Sequence, residues 1–217
     1  MSATLSKEKP IEFLNIITLL FSISIVSSAL PVLINIIYFQ SISLSSSDFK
    51  FWFQLLVFER FLANIGILIL MFTIQNSIPI YHFSVLFEFL IISKLFDLEK
   101  RICILNLLLF CAFLVFLSDL FLTSDLTHLN SLSSILTYSI IIGLGWYYIY
   151  SNTSLKKIST ALISIFLYYL SSVFYLLFEQ YSITNEKAFD SGFTVLVTLS
   201  ILFNLSNSYI TWSFQKN

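Results

Sequence analysis

Residues 55–70, LLVFERFLANIGILIL, indicate the class of this protein because they are almost wholly apolar and yet carry Glu59 and Arg60 side by side. The stretch belongs to an apolar segment at about 51–74. A helix of roughly 20 apolar residues crosses the hydrocarbon core of a bilayer. The segment therefore predicts a transmembrane helix, and its two central charges require an explanation from the rest of the chain.

The composition predicts an integral membrane protein. Of 217 residues, 58% are hydrophobic and only 11% are charged, whereas about a quarter of the residues in a soluble domain are charged. So few charges cannot cover a surface that faces water. With 4 glycines and 3 prolines, no long linker is expected, and residues 1–217 are predicted to form a single transmembrane domain.

Seven apolar runs are long enough to span a bilayer, which predicts an all-α, polytopic membrane helix bundle. An interpretation with six spans stays open. In that interpretation, the second or the third run lies outside the membrane. The seven runs cover about 12–39, 51–74, 78–96, 102–122, 131–151, 158–180 and 192–214.

The basic residues predict the orientation of the bundle. Short cytoplasmic loops are enriched in lysine and arginine. With seven spans, one side of the membrane receives Lys50, Lys94, Lys100, Arg101, Lys156, Lys157 and Lys216, and the other receives Lys7, Lys9 and Lys187. The bundle is therefore predicted to lie in a cytoplasmic (inner) membrane with its N-terminus outside and its C-terminus inside.

The charges in the second and third spans lie at similar depths. Arg60 follows Lys50 by ten residues, or about 15 Å along a helix, and Glu88 precedes Lys94 by six, or about 9 Å. An unpaired charge at the centre of a span costs about 2.5–3.5 kcal/mol on insertion scales. We therefore expect Arg60 and Glu88 to pair, either as an architectural lock or as part of a ligand or ion site.

Glu59 is expected to face away from Arg60, because adjacent residues on a helix point about 100° apart. It aligns with Ala63 and Gly66, where another helix can approach closely. It is expected either to be protonated or to face a polar cavity. Asn64 lies one turn beyond Arg60.

Polar stripes at helical spacing mark the sixth and seventh spans. They fit either hydrogen bonds between helices or a hydrated pocket. The stripes are Ser164, Tyr168, Ser171, Ser172 and Tyr175 on the sixth span, and Ser200, Asn204, Asn207, Ser208 and Thr211 on the seventh. The predicted ligand or coupling site consists of Glu59, Arg60, Asn64, Glu88, Asn204 and Asn207.

Motifs of several enzyme classes are absent from the sequence. It contains no HExxH, GxSxG or Walker motif and no Cys/His cluster, and it has only two histidines. No catalytic residue, metal, cofactor or nucleic-acid partner is therefore predicted, and a non-enzymatic protein is favoured. The seventh span lacks a lysine, which excludes a retinal Schiff base.

Several segments carry a family resemblance. They are IYHFSVLFEFLIISKLF, SLSSILTYSIIIGLGWYYIY, ISIFLYYLSSVFYLLF and SILFNLSNSYITWSF. With Glu88 in the first of them and an acid in the second span, they resemble a family of small seven-helix membrane proteins of Bacteroidota-type bacteria, mostly uncharacterised. Many members are encoded near sensor kinases or regulators, so the resemblance implies a role in signalling. Arg60 beside the acid departs from the pattern.

The leading functional hypothesis is a non-enzymatic membrane module that senses a signal in the bundle or serves as a subunit for a partner. Besides the lipid bilayer, the expected partner is a membrane or cytosolic protein, such as a sensor kinase or a complex subunit. Two alternatives stay open. One is a small transporter or channel that uses the intramembrane carboxylates, and the other is a membrane enzyme that acts on lipid.

Overall fold

Seven α-helices make up the described part of the chain, which a computed structural model provides for residues 9–37, 48–73, 78–100, 102, 104–118, 132–151, 157–182 and 186–215. These ranges contain no β-strand, so the predicted all-α class is confirmed. The helices are α1 (Lys9–Ile37), α2 (Asp48–Thr73), α3 (Ile78–Lys100), α4 (Leu105–Ser118), α5 (Leu132–Ser151), α6 (Lys157–Ser182) and α7 (Glu186–Gln215).

Local signals explain several helix ends. Asp48 lies in the first turn of α2, where a carboxylate interacts favourably with the helix dipole. Pro79 is the second residue of α3, a position that needs no backbone N–H donor. At the corner between α3 and α4, the Asp97 side chain accepts a hydrogen bond from the backbone N–H of Ile102 at 3.1 Å. That bond helps fix the turn into α4.

Two helical segments are long and apolar enough to cross a membrane, as judged from length and composition among the described residues. They are Asp48–Leu70 and Thr194–Phe214. Three shorter apolar helical segments accompany them: Ser22–Ile37, Leu105–Ser118 and Thr160–Phe174. The stretch at 55–70, with Glu59 and Arg60, lies inside Asp48–Leu70.

Six of the helices form a closed ring. Each packs against two neighbours in the order α1, α2, α3, α5, α6, α7 and back to α1, and α2 also touches α7 across the ring. Helix α4 lies outside this ring against α3 and α5. The ring order places α2 opposite α6 and α3 opposite α7, so side chains from these four helices can meet at its centre.

Packing buries aromatic and aliphatic side chains inside the ring and leaves large hydrophobic side chains outside it. Phe53, Leu56, Phe89 and Ile165 are fully buried. Each of the seven helices also exposes large apolar side chains; examples are Val26, Phe58, Phe87, Phe110, Trp146, Leu167 and Leu202. Where α2 begins and α7 ends, the rings of Phe49 and Phe53 both pack against Phe214.

Serine is tolerated in these apolar helices because its hydroxyl can bond back to its own helix. Ser27 donates to the carbonyl of Ser24 at 2.7 Å, and Ser172 donates to that of Tyr168 at 3.0 Å. Such bonds satisfy a polar group where water is excluded. Ser27 and Ser172 therefore need no other polar partner, whereas the hydroxyl of the fully buried Ser93 has no hydrogen-bond partner among the described residues.

Candidate functional site

A buried ion pair lies at the contact between α2 and α3. Arg60 Nη1 is 3.4 Å from Glu88 Oε1, and the two residues are 8% and 7% exposed. Among the described residues they are the only buried charged ones. The ion pair expected from their similar depths is therefore present, while its role as a ligand or coupling site remains a prediction.

Two aromatic rings, on α6 and α7, also contact the Arg60 guanidinium. Its Cζ lies 4.4 Å from the ring centroid of Tyr168 on α6 and 4.6 Å from that of Phe203 on α7. The two rings stack on each other with centroids 4.4 Å apart. A desolvated cation–π contact of this kind contributes about 2 kcal/mol. One guanidinium therefore links α2 to α3, α6 and α7.

Glu88 is also bound from α6. The Tyr169 hydroxyl donates a hydrogen bond to Glu88 Oε2, and Tyr169 is fully buried. Its ring packs edge-on against Tyr138 of α5, with centroids 5.0 Å apart. The carboxylate thus has a cation on one oxygen and a hydroxyl donor on the other, and five of the six ring helices contribute a side chain to the cluster.

Glu59 corrects part of the sequence analysis, which placed it on a different face from Arg60. Both side chains reach α3, because Glu59 Oε1 accepts a hydrogen bond from Ser84 at 2.8 Å. Adjacent residues on a helix point about 100° apart, but both of these side chains are long enough to reach the neighbouring helix. Ser84 lies one turn before Glu88 on α3, so Glu59 and the ion pair contact the same helix one turn apart, and the three side chains form one cluster.

Several atoms of this cluster are buried without a hydrogen-bond partner among the described residues. They are Arg60 Nε and Nη1 and Glu59 Oε2. Buried polar groups in folded proteins are nearly always hydrogen-bonded to protein or to water. Because Nη1 is the nitrogen that faces Glu88 in the ion pair, Arg60 Nε and Glu59 Oε2 are the two of these atoms that can bind a further polar group.

The polar stripe of α7 faces α1 more than it faces the ion pair. Asn204 donates from its amide nitrogen to the carbonyl of Ser24 at 3.2 Å and to the hydroxyl of Ser27 at 3.0 Å. Asn207, about one turn further along, is 1% exposed, and its Oδ1 lacks a partner among the described residues. Asn204 thus stabilises the contact between α1 and α7. It directly follows Phe203, one of the two rings that contact Arg60.

Other predicted positions differ in their relation to the cluster. Asn64 is half-buried and joins none of the contacts described above. Tyr168 was identified only as part of a polar stripe, and the sequence analysis did not single out Tyr169, Phe203 or Ser84. For Tyr168 and Tyr169, the available signal was a pair of adjacent tyrosines in an apolar helix. Phe203, in contrast, is indistinguishable in sequence from the other phenylalanines.

A cavity of about 180 Å³ lies between α6 and α7. Leu167 and Leu202, which are 54% and 57% exposed, place its mouth at the surface of the bundle. Tyr168 and Phe203 also line it, so the rings that hold Arg60 form part of its wall. The full lining is Ser164, Leu167, Tyr168, Ser171, Leu199, Leu202 and Phe203.

Comparison with known proteins yields no match to a protein-family model, a curated protein or a solved structure. The described residues also contain no group of three or more His, Cys, Asp or Glu side chains that could hold a metal ion.

Proposed function

We propose that this chain is a non-enzymatic, seven-span membrane module in which the Arg60–Glu88 cluster senses a signal and passes it to a partner protein. The observation that carries the proposal is the buried guanidinium, which contacts α3, α6 and α7 and keeps its Nε without an acceptor among the described residues. A ligand that competes for Arg60 would change the contacts of four helices at once.

The membrane part of the proposal is supported by the distribution of side chains. Charge is buried at the centre of the ring, while all seven helices expose large apolar side chains. A surface of that kind is expected where lipid is the solvent, and ionisable residues inside membrane bundles face the interior and pair with one another. We place all seven helices across a bacterial inner membrane, with the N-terminus outside and the C-terminus inside.

The partner part of the proposal rests on the basic residues predicted to lie inside. Lys94 is partly exposed, and its Nζ pairs with Asp97 Oδ2 at 3.3 Å near the end of α3. Lys100 and Arg101 follow close behind it. Since Glu88 lies on the same helix, a displacement of α3 would move this basic corner. A sensor kinase or another complex subunit bound at these basic residues would respond to that displacement.

Topology can be tested with single cysteines labelled from one side of intact membrane vesicles. Residues after Lys94 and after Lys156 should be labelled from the cytoplasmic side, and residues near Lys187 from the opposite side. Labelling of all three from one side would contradict the seven-span arrangement. The natural Cys103 and Cys111 are first replaced by serine as a common background.

Function can be tested by native mass spectrometry of the protein gently extracted from its own membranes. A stoichiometric protein partner that is lost on Glu88→Gln but kept on Asp97→Asn would support coupling through the buried cluster. The control fits because Asp97 lies on the same helix in a more exposed ion pair. Glu88-dependent uptake into liposomes would favour the transporter alternative, and Glu88-dependent turnover of a lipid extract would favour the enzyme.

A further inference from the structure

The cavity between α6 and α7 and the buried ion pair share a wall. Tyr168 and Phe203 line the cavity, and the same two rings contact the guanidinium of Arg60. Tyr168 is half-buried, whereas Phe203 is 4% exposed. Tyr168 is therefore the more exposed of the two rings that separate the cavity from Arg60, and it would have to turn outward for a ligand in the cavity to reach the guanidinium.

We propose that this cavity binds a segment of the hydrocarbon chain of a fatty acid, whose carboxylate bonds to Arg60. The inference rests on the membrane-embedded bundle proposed above and names the ligand class of that same site. The ligand would enter laterally from the bilayer between Leu167 and Leu202, which are exposed at the mouth of the cavity.

The size and lining of the cavity suit one hydrocarbon chain. Leucine and aromatic side chains form most of the wall. Its volume of about 180 Å³ is close to that of an engineered apolar cavity, about 150 Å³, that binds benzene. A segment of a single chain fits that space, whereas the two chains of a phospholipid would leave one chain outside.

The chemistry of Arg60 suits a carboxylate. Its Nε and Nη1 are buried without a hydrogen-bond partner among the described residues. The 3.4 Å separation from Glu88 is also longer than the roughly 2.7–2.9 Å of a charge-assisted hydrogen bond. The native pair thus occupies Nη1 without a short hydrogen bond and leaves Nε without an acceptor, so a carboxylate that displaces Glu88 can bond to both nitrogens.

Charge balance determines the form in which the ligand enters. Arg60 and Glu88 balance each other's charge, so a further anion would leave a buried negative charge without a partner. The fatty acid therefore enters as the neutral acid. Its proton passes to Glu88, and its carboxylate takes the place of Glu88 beside Arg60, so that the net charge of the cluster does not change.

The test is photo-crosslinking of the full chain in liposomes with palmitic acid that carries a diazirine in mid-chain. We expect saturable cross-links on peptides of α6 and α7. Unlabelled palmitate should compete, whereas methyl palmitate, which has no carboxylate, should not. Arg60→Gln should lower the saturable yield about tenfold or more, because the charge-assisted bonds are lost.

A second pair of variants leaves the ion pair untouched. Leu199→Phe fills the cavity and should lower cross-linking by a similar factor even if Arg60→Gln fails to fold. Leu205→Phe is the matched control, because Leu205 lies on α7 but outside the cavity lining and is 45% exposed. It should label like the wild type.

Three results would overturn the assignment: equal competition by methyl palmitate, full labelling of folded Leu199→Phe, or competition by a phosphatidic acid that matches palmitate. The last would identify a bilayer phospholipid as the ligand. If any of these occurs while native mass spectrometry still shows a Glu88-dependent partner, the coupling function stands and only the fatty acid is wrong.

Discussion

Breaking the Arg60–Glu88 pair from one side should destabilise the protein strongly, and breaking it from both sides should cost less than the sum. In Arg60→Met, Glu88 keeps the Tyr169 hydroxyl but loses its cation. In Glu88→Gln, Arg60 keeps its two aromatic rings but loses its anion. Removing one partner of a buried pair costs about 3–5 kcal/mol, because the remaining charge is left uncompensated.

The double variant has no orphaned charge, so the two single effects should not add. We expect a coupling energy of about 2–3 kcal/mol, at the upper end of what contacting residues show. The assay is reversible unfolding in mixed micelles with increasing dodecyl sulfate, followed by circular dichroism. A matched cycle on Lys94→Met and Asp97→Asn supplies the reference, because those side chains are 44% and 28% exposed.

Surface ion pairs contribute about 0.2–1 kcal/mol, so the Lys94–Asp97 cycle should give a much smaller coupling energy than the buried pair. If the two cycles agree within about 0.5 kcal/mol, the buried cluster is not the energetic centre of the bundle. The interpretation of Arg60 as the link between four helices would then be refuted.

Four further variants test the packing of the bundle. Gly145→Ala should destabilise by about 1–3 kcal/mol, because an added Cβ would come within 2.5 Å of Phe166. Gly143→Ala meets nothing within 4 Å and should be neutral or stabilising by up to about 1 kcal/mol; a thermal melt that ranks the two glycines equally would contradict the close α5–α6 approach. Asn204→Leu loses two bonds to α1, and at about 0.6 kcal/mol each should cost about 1 kcal/mol in the same unfolding assay; no change in stability would show that these bonds are unimportant. Tyr169→Phe removes the hydroxyl from the buried carboxylate and should cost about 1.5–3 kcal/mol, an effect that should vanish in a Glu88→Gln background.

Much of the helical framework could be predicted from the sequence. The seven apolar runs correspond to seven helices among the described residues, with most described ends within a few residues of those predicted. The largest difference is at the start of α7, which begins at Glu186 where the sequence predicts about 192, and the predicted end of the fourth run, at about 122, lies outside the described residues. Such helices can be predicted from the sequence because the length of an apolar run is a local property of the chain.

The pairing of Arg60 with Glu88 could also be predicted, because it required only the depth of two charges on consecutive helices joined by a short connection. That Glu59 also reaches α3 could not be predicted. Its contact with Ser84 depends on where α3 lies relative to α2, and a single-helix projection does not contain that information.

The ring order α1, α2, α3, α5, α6, α7 was likewise decided by the tertiary structure. Helix α4 is more apolar than α3 and α5, against which it packs, but apolar composition alone does not place a helix outside the ring. Tyr168 and Phe203 meet around Arg60 because α6 and α7 lie across the ring from α2 and α3. The sequence by itself determined the helices and the need for a charge partner, since both follow from apolar length and the cost of burying a charge. Only the tertiary structure could select the aromatic partners and the cavity beside them, because they come from positions more than a hundred residues away from the arginine.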